Sequence, residues 1–315
     1  MAIYLKKFEN HTQYDNYING SDAILPNVSI CVTEGDVHYN PYVEPVETRL
    51  VAKFNIADTS YQTKICNQIS GFSVMEIDGV EQPSVTTGYS FTTTGEHIVK
   101  YTLSDPTSIG SGMCSGCTSL TSIDIPNSVT SIGNSAFNNC SSLTSIDIPS
   151  GVTSIGSSAF NSCGSLTSVT IPDSVTSIGE LAFYKCSGLT SAAIGNGVTS
   201  IGDSAFSGCS SLTSIDIPDS VTSIGSQAFY YCSGLTSCSI GSGVTSIGSS
   251  AFNSCTRLVN VTIFASTPPT AIYTYYWNAF SYGTDCPIYV PNGSVDAYKA
   301  ARGWNNYSSR IQPIV

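Results

Sequence analysis

A 23-residue unit that recurs at fixed spacing leaves this chain few folds to choose from. It is clearest from Leu120 to Ser142, where Leu120, Ile123, Ile125, Val129, Ile132, Ala136, Phe137 and Cys140 are the apolar positions, punctuated by Pro126 and Gly133. New copies begin at Leu143, Leu166, Leu189, Leu212 and Leu235. A seventh opens at Leu258 and then decays, and half a copy, Thr107 to Ser119, precedes the first. Such self-similarity is the signature of a solenoid, in which a coil cannot bury its apolar side alone and must stack on its neighbours.

The unit reads physically as a β-rich coil. Ile123 and Ile125 lie two apart and share one strand face, with Asp124 outward. Pro126 ends the pairing and opens a turn. Val129 and Ile132 begin a second extended piece, stopped at Gly133, where a glycine's freedom of backbone angle is expected to be used. Ala136, Phe137 and Cys140 fit a single helical turn with its apolar side inward. The Ser and Thr rows, such as Ser122, Ser145 and Ser168, read as hydroxyl ladders along the sheet. At one strand spacing per coil the stack is on the order of 35–40 Å long.

Seven cysteines (Cys117, Cys140, Cys163, Cys186, Cys209, Cys232 and Cys255) occupy one slot of the repeat. A once-per-coil slot predicts a ladder of buried, reduced thiols packed as small hydrophobes. Rungs about 4.8 Å apart stand farther apart than disulfide Cβ atoms prefer. The Cys114-Ser-Gly-Cys117 pair is a degenerate copy, with Met113 and Cys114 standing where later copies have Ala and Phe. No second pair supports zinc or redox chemistry.

Only 10% of the 315 residues are charged, against roughly 25% in ordinary globular proteins, so Ser, Thr, Asn and Gly must carry solubility. The net charge is −11, and in the repeats Lys185 and Arg257 are the only cations. That balance excludes the basic footprint needed for nucleic acid or an anionic membrane. No stretch has the ~18 apolar residues of a membrane span. No export signal is recognised at Met1–Asn10, which points to a virion or the cytoplasm unless a signal has been removed. The histidines His11, His38 and His97 lack metal-ligand spacing, and none lies in the repeats. No catalytic constellation is present, and no cofactor or metal is expected. Asp124 and Asp147 fall in one outward slot, but Thr170 and Ala193 follow, leaving too few oxygens for calcium.

Four regions follow from these patterns. Residues 1–45 form an irregular arm with one strand candidate, Asn27 to Thr33. Residues 46–105 carry dense strand signals at Arg49–Ile56, Phe72–Ile77, Gly88–Thr92 and His97–Leu103, with a hairpin turn at Asp78-Gly79; they predict a small antiparallel β-sandwich. The solenoid spans 106–264. A cap spans 265–315, with the Ala-Phe slot recovered at Asn278-Ala-Phe280, a strand at Cys286–Pro291, an amphipathic helix from an N-cap at Ser294, and Trp304, Tyr307 and Ile311 closing the core.

The unit Leu-x-x-Ile-x-Ile-Pro-x-x-Val-x-x-Ile-Gly-x-x-Ala-Phe-x-x-Cys resembles the BspA-like class of leucine-rich repeats, common in gut and oral bacteria and some protists. The match runs nearly slot for slot from Leu120 to Cys255. Pro268, Ile288–Pro291, Ala297–Lys299, Gly303-Trp304 and Ile311–Ile314 are similar to the cap of such proteins. The resemblance implies a leucine-rich-repeat solenoid and an adhesin-like recognition protein, not an enzyme. Tyr89 to Leu103 also resembles the last hairpin of bacterial immunoglobulin-like modules. The arm from Ile24 to Pro41 resembles leading segments of gut-phage and prophage proteins. An alternative is therefore a virion or fibre component that oligomerises through its N-terminal region.

Strict slots build the scaffold, so a ligand site is expected where exposed slots vary. The pair before each ladder cysteine reads Asn138-Asn139, Asn161-Ser162, Tyr184-Lys185, Ser207-Gly208, Tyr230-Tyr231 and Asn253-Ser254. Tyr184, Lys185, Tyr230 and Tyr231 then project from one edge, two coils or roughly 10 Å apart. They are either a contact site for a protein or glycan or isolated surface side chains. In the cap, Tyr275, Tyr276 and Trp277 either cover the last coil or form a second contact patch.

Overall fold

The protein is described by a computed structural model for residues 28–33, 36–41, 49–271, 279–280 and 286–315. It falls into two units, Met1–Val46 and Glu47–Val315. In the first, β1 (Val28–Thr33) and β2 (Asp36–Pro41) form an antiparallel hairpin with Val28 opposite Pro41 and Thr33 opposite Asp36.

The second unit opens with β3 (Arg49–Ile56), β4 (Thr63–Lys64), β5 (Phe72–Ile77), β6 (Val80–Glu81), β7 (Gly88–Tyr89) and β8 (Gly95–Leu103). The alternation in β3 buries Leu50, Ala52, Phe54 and Ile56, and β8 buries His97, Val99, Tyr101 and Leu103. These strands pair antiparallel in the order β3-β8-β5-β6. Asp78 and Gly79 both have positive φ, 50° and 82°, as a two-residue hairpin turn of the favoured hand requires. The segment 88–103 is not a hairpin: β7 pairs with β4, while β8 lies between β3 and β5. The glycine-containing link cannot set the pairing, because the long alternating β8 gains more by sitting between two strands.

After β9 (Ser108–Ile109), β10 (Leu120–Asp124) pairs antiparallel with the free side of β3. The first full coil is therefore also a strand of the N-terminal sheet. Asn55 N–H donates to the Ser119 carbonyl at 2.9 Å and the Thr121 hydroxyl to the Lys53 carbonyl at 3.1 Å. The N-terminal end of the stack is covered in this way, and one buried core runs from Leu50 to Ile311.

Along the solenoid the sequence period becomes the spatial register. Eight two-residue strands, from Ser108–Ile109 to Thr270–Ala271, form one parallel sheet; up to Ser246–Ile247, serine lies beside serine and isoleucine beside isoleucine. A second parallel set follows the leucines: Ser168–Ile171 beside Ser191–Ile194, then Ser214–Ile217 onward to Ile288–Val290 and Ile311–Pro313.

Three details differ from the sequence reading, each for a physical reason. The Ala-Phe segment is not a helical turn but a run of linked turns. Ala136, Asn138 and Cys140 N–H groups bond three residues back, whereas Ser135, Phe137 and Asn139 donate to Ser157, Ala159 and Asn161 of the next coil. Alternate amides thus satisfy the turn and the stack, which a helix could not do. The repeated glycine is needed for closeness and not for its φ: a Cβ on Gly179 would lie 2.6 Å from the Gly156 carbonyl carbon, and one on Gly202 2.7 Å from the Glu180 nitrogen. The hydroxyl ladders belong to threonine rather than to the Ser122 row. Thr144, Thr167, Thr190, Thr213 and Thr236 each donate to the carbonyl of the threonine one coil earlier, and Thr153, Thr176, Thr199, Thr222 and Thr245 do the same on the second face.

The centre of the core is an aromatic stack. Phe137, Phe160, Phe183, Phe206, Phe229, Phe252 and Phe280 follow one another at 5.0–5.4 Å with rings within 11° of parallel. The ladder thiols lie beside it, fully buried and free. Six of the seven, all but Cys117, donate to the carbonyl of the Phe slot one coil earlier: Cys163 to Phe137 at 3.2 Å, Cys186 to Phe160 at 3.1 Å, and Cys140 to Cys114 in the degenerate copy at 3.1 Å. A small side chain with a weak donor fills this slot where alanine could not. Burial pushes the thiols of Cys140, Cys186 and Cys255 up to about 12.

The cap ends the stack with edges instead of faces. Trp304 and Tyr307 meet Phe280 at 5.8 and 5.9 Å, Tyr307 at a steep 84°. Their polar tips bind the coils: Trp304 Nε1–H donates to the Pro269 carbonyl at 2.7 Å and Tyr298 OH to Ala265 at 2.8 Å. Helix α1 (Val295–Ala300) follows a 3-10 turn at Asn292–Ser294. Ser294 stands at the N-cap position without capping: its hydroxyl donates to the Ser266 carbonyl at 2.7 Å, which ties the helix to the last coil.

Candidate functional site

Each coil carries two residues with positive φ in its turn segment. The first slot holds Ser135, Ser158, Leu181, Ser204, Gln227 and Ser250; the second holds Asn139, Ser162, Lys185, Gly208, Tyr231 and Ser254, with φ between 54° and 78°. In this region a side chain crowds the following carbonyl, so glycine and asparagine are preferred and a large residue costs about 1 kcal/mol. Four coils hold serine, asparagine or glycine in both slots. The coils of Leu181-Lys185 and Gln227-Tyr231 hold larger side chains in both, and they are the two that carry Tyr184 and Tyr230.

The four expected side chains form two separate pairs, one on each coil. Lys185 Nζ lies 5.1 Å from the Tyr184 ring centroid, and the Tyr230 and Tyr231 rings meet at 4.6 Å and 87°. Tyr184 and Tyr230 are half-buried, while Tyr231 is 55% exposed. Between the two coils lies Ser207, buried, and Gly208, which presents no side chain. A Cβ there would meet Lys185 first, its Cγ at 3.4 Å, so the lysine stem lies over this glycine. Desolvation, then the neighbouring Tyr231, holds the Tyr230 hydroxyl above its ordinary pKa. The sequence marks these residues by their variability and aromatic character, while the positive φ of Lys185 and Tyr231 has no signal in the sequence.

Other expected sites are different. Tyr275, Tyr276 and Trp277 lie outside the described residues, as does most of the N-terminal arm. Asp124 and Asp147 are exposed, and among the described residues no group of three His, Cys, Asp or Glu side chains could hold a metal ion. No helix among the described residues is long and apolar enough to cross a membrane. The buried His97 pairs with the exposed Asp78, Nδ1 to Oδ2 at 2.7 Å, while His97 Nε2 faces the Thr93 carbonyl at 2.9 Å. Two acceptors around one imidazole select its protonated form. Burial opposes that charge, yet the bonds with Asp78 and Thr93 prevail and the pKa of His97 stands above its ordinary value.

Comparison with known proteins agrees with the coil geometry. The model of the BspA type leucine rich repeat region matches in six copies, over residues 107–206 and 182–288, more than half of the chain. No curated protein matches. Among solved structures, the T. pallidum leucine rich repeat protein is 32% identical over 42% of this chain and 58% of its own, with a TM-score of 0.35. A leucine rich cell surface protein from Faecalibacterium prausnitzii is 33% identical over 50% of this chain and 57% of its own, TM-score 0.38. The pneumococcal vaccine antigen PcpA is 17% identical over 60% and 54%, TM-score 0.39. The chain thus spans a little over half the length of these structures.

Proposed function

The chain belongs to the BspA-type leucine-rich repeat family, and from that premise we propose that it is a non-enzymatic recognition protein, binding a protein or glycan on a host or bacterial surface through the edge that carries Tyr184, Lys185, Tyr230 and Tyr231. The observation that carries this reading is the placement of Lys185 and Tyr231 at φ 57° and 58°, where a purely structural coil uses asparagine, serine or glycine. The rest of the repeat supports it by subtraction. The Leu, Ile, Val, Ala, Phe and Cys slots are spent on the core, threonine on the ladders and glycine on coil-to-coil contact.

Aromatic side chains held on a rigid coil lose little conformational freedom on binding, which is why they dominate contact energies. The test is binding of the protein to arrays of host matrix proteins and glycans, wild type against Tyr184→Ser/Tyr230→Ser/Tyr231→Ser. A ligand bound at micromolar concentration and lost in the triple variant, with unfolding unchanged, supports the site. Absence of any ligand at that concentration, or binding indifferent to the three substitutions, refutes it.

A further inference from the structure

We propose that the solenoid is jointed: the step from the coil of Leu189 to the coil of Leu212 is a hinge that pivots on the turn edge and opens on the face of the strands that follow the leucines, because Pro218 withholds a ladder hydrogen bond there.

The coil-to-coil steps on this face are of two kinds. Some lead into a proline after the strand, Pro149, Pro172 and Pro218, and the others into Gly195, Gly241 or Phe264. Proline has no N–H for the isoleucine carbonyl one coil earlier, whereas Gly241 and Phe264 donate to Ile217 and Ile240 at 2.8 Å. The packing follows that division. Ser168–Ile171 pairs with Ser191–Ile194, and pairing is continuous from Ser214–Ile217 to Ile311–Pro313, but Ser191–Ile194 and Ser214–Ile217 are not paired with each other. The isoleucine that ends the strand is buried at Ile171, Ile217 and Ile240, and only half-buried at Ile125, Ile148 and Ile194, the three that precede a proline step. The threonine hydroxyl bonds measure 2.9 Å at the steps into Gly195 and Gly241 and 3.1–3.3 Å at the proline steps.

Glycines two positions further on report the same gap. A Cβ on Gly197 or Gly243 would lie 1.8 or 1.9 Å from the carbonyl oxygen of Asp173 or Asp219, while on Gly151, in the same slot of a proline step, it would meet ordinary contacts from 3.5 Å outward. Where the gap is wide a side chain spans it: the Ser174 and Ser220 hydroxyls donate to the Val152 and Val198 carbonyls at 2.6 and 2.8 Å.

The other two sides of the stack ignore the division. Across the Pro218 step, the Phe206 and Gly208 amides donate to Ala228 and Tyr230 at 2.7 Å and Thr222 to Thr199 at 2.8 Å; across the Gly241 step the corresponding bonds of Phe229, Tyr231 and Thr245 are 2.7, 3.0 and 2.9 Å. A stack held on two sides and released on the third bends about the held sides. Of the proline steps, the one at Pro218 separates two laddered blocks. Each block carries one aromatic pair, Tyr184 with Lys185 or Tyr230 with Tyr231, so bending changes the angle between the pairs while the turn edge keeps their spacing.

Native-state hydrogen exchange of the full chain reads the release. The amides of residues 213–217 are expected to exchange ~tenfold or more faster than those of 236–240, while 204–208 exchange as slowly as 227–231. Motion is read by dipolar EPR on spin labels at Asp124→Cys/Ser239→Cys on the strand face and at Asn139→Cys/Ser254→Cys on the turn edge, each pair five coils or about 24 Å apart; the distance distribution is expected to be broader on the strand face. These comparisons leave the joint itself unaltered. Pro218→Gly with Ser220→Gly gives the turn the pattern of Ile194 to Val198, supplying both the N–H and the clearance, and is expected to slow exchange at 213–217 to the level of 236–240 and to narrow the strand-face distribution. Equal exchange in the two coils of wild type overturns the release; equal widths on face and edge, or no narrowing in the double variant, overturn the hinge.

Discussion

Replacing Phe206 by leucine is expected to cost more than the same change at Phe137, by an amount that the stack itself sets. Both rings are fully buried, and both backbones make the same bond to the next coil, Phe137 N–H to Ala159 and Phe206 N–H to Ala228. They differ in neighbours. Phe206 lies between Phe183 at 5.1 Å and Phe229 at 5.4 Å, whereas Phe137 has only Phe160 at 5.3 Å because Cys114 fills the preceding slot. An aromatic pair contributes about 0.5–1.5 kcal/mol beyond the area it buries, so Phe206→Leu loses two such terms and Phe137→Leu one. The difference of about 1 kcal/mol corresponds to ~2–4 °C in Tm for a unit of this size. Thermal and urea unfolding followed by circular dichroism measure it directly. Equal losses, or a larger loss at Phe137, would refute the idea that ring contacts carry the coil-to-coil preference.

The other expectations concern thiols, glycine, pH and the cap. With its thiol pushed up to about 12, Cys186 is ~10⁻⁴ thiolate at pH 8; native protein should therefore react with a disulfide reagent at least a hundredfold more slowly than unfolded protein, and rapid labelling of the ladder would contradict the burial. Gly202→Ala forces a methyl group against the Glu180 backbone and should destabilise by about 2 kcal/mol or more, while Gly293→Ala, with open space around it, should not. The pH response follows from two opposite shifts. His97 is raised above 6.5, so its contribution is present below that pH and lost as pH rises through its folded value; Asp78, where desolvation is outweighed by bonds from His97 and Ile98, is lowered below 3.8, so its contribution is present above 3.8 and lost as pH falls through its folded value. Stability of the N-terminal sheet should therefore decline as pH rises above 6.5 in wild type and stay flat over the same range in His97→Gln, as read by hydrogen exchange. Finally, Ser in place of Tyr275, Tyr276 and Trp277 together should weaken partner binding without changing Tm if they form a contact patch; a large fall in Tm with binding intact would assign them to the core.

Much of the fold was legible because a repeat turns sequence spacing into spatial register. Once Ile132, Ile155 and Ile178 recur at one period, parallel pairing, a single core and buried cysteines follow from the need to stack. What failed was local. The linked turns of the Ala-Phe segment have the same apolar spacing as a helical turn, and only the destination of each amide separates them. The reading of Gly133 as a position of special φ failed because a tight approach and a special φ both exclude a side chain. Ser294 looked like a cap until the Ser266 carbonyl offered its hydroxyl a partner distant in sequence. The pairing of β7 with β4 rests on a two-residue contact that no pattern signals.

The candidate site shows a different limit. Variation alone marked Tyr184, Lys185, Tyr230 and Tyr231, but variation on a surface is ordinary, and Asn138 or Asn161 vary equally without comment. What separates the two coils is that Lys185 and Tyr231 stand at positive φ where the other coils hold asparagine, serine or glycine, and that Tyr231 is 55% exposed. A scaffold under selection for stability alone would lose those residues first, since asparagine at either position relieves the strain. On the proposed reading these residues are kept for recognition, and Lys185→Asn and Tyr231→Asn should separate the two demands by raising Tm while impairing ligand binding.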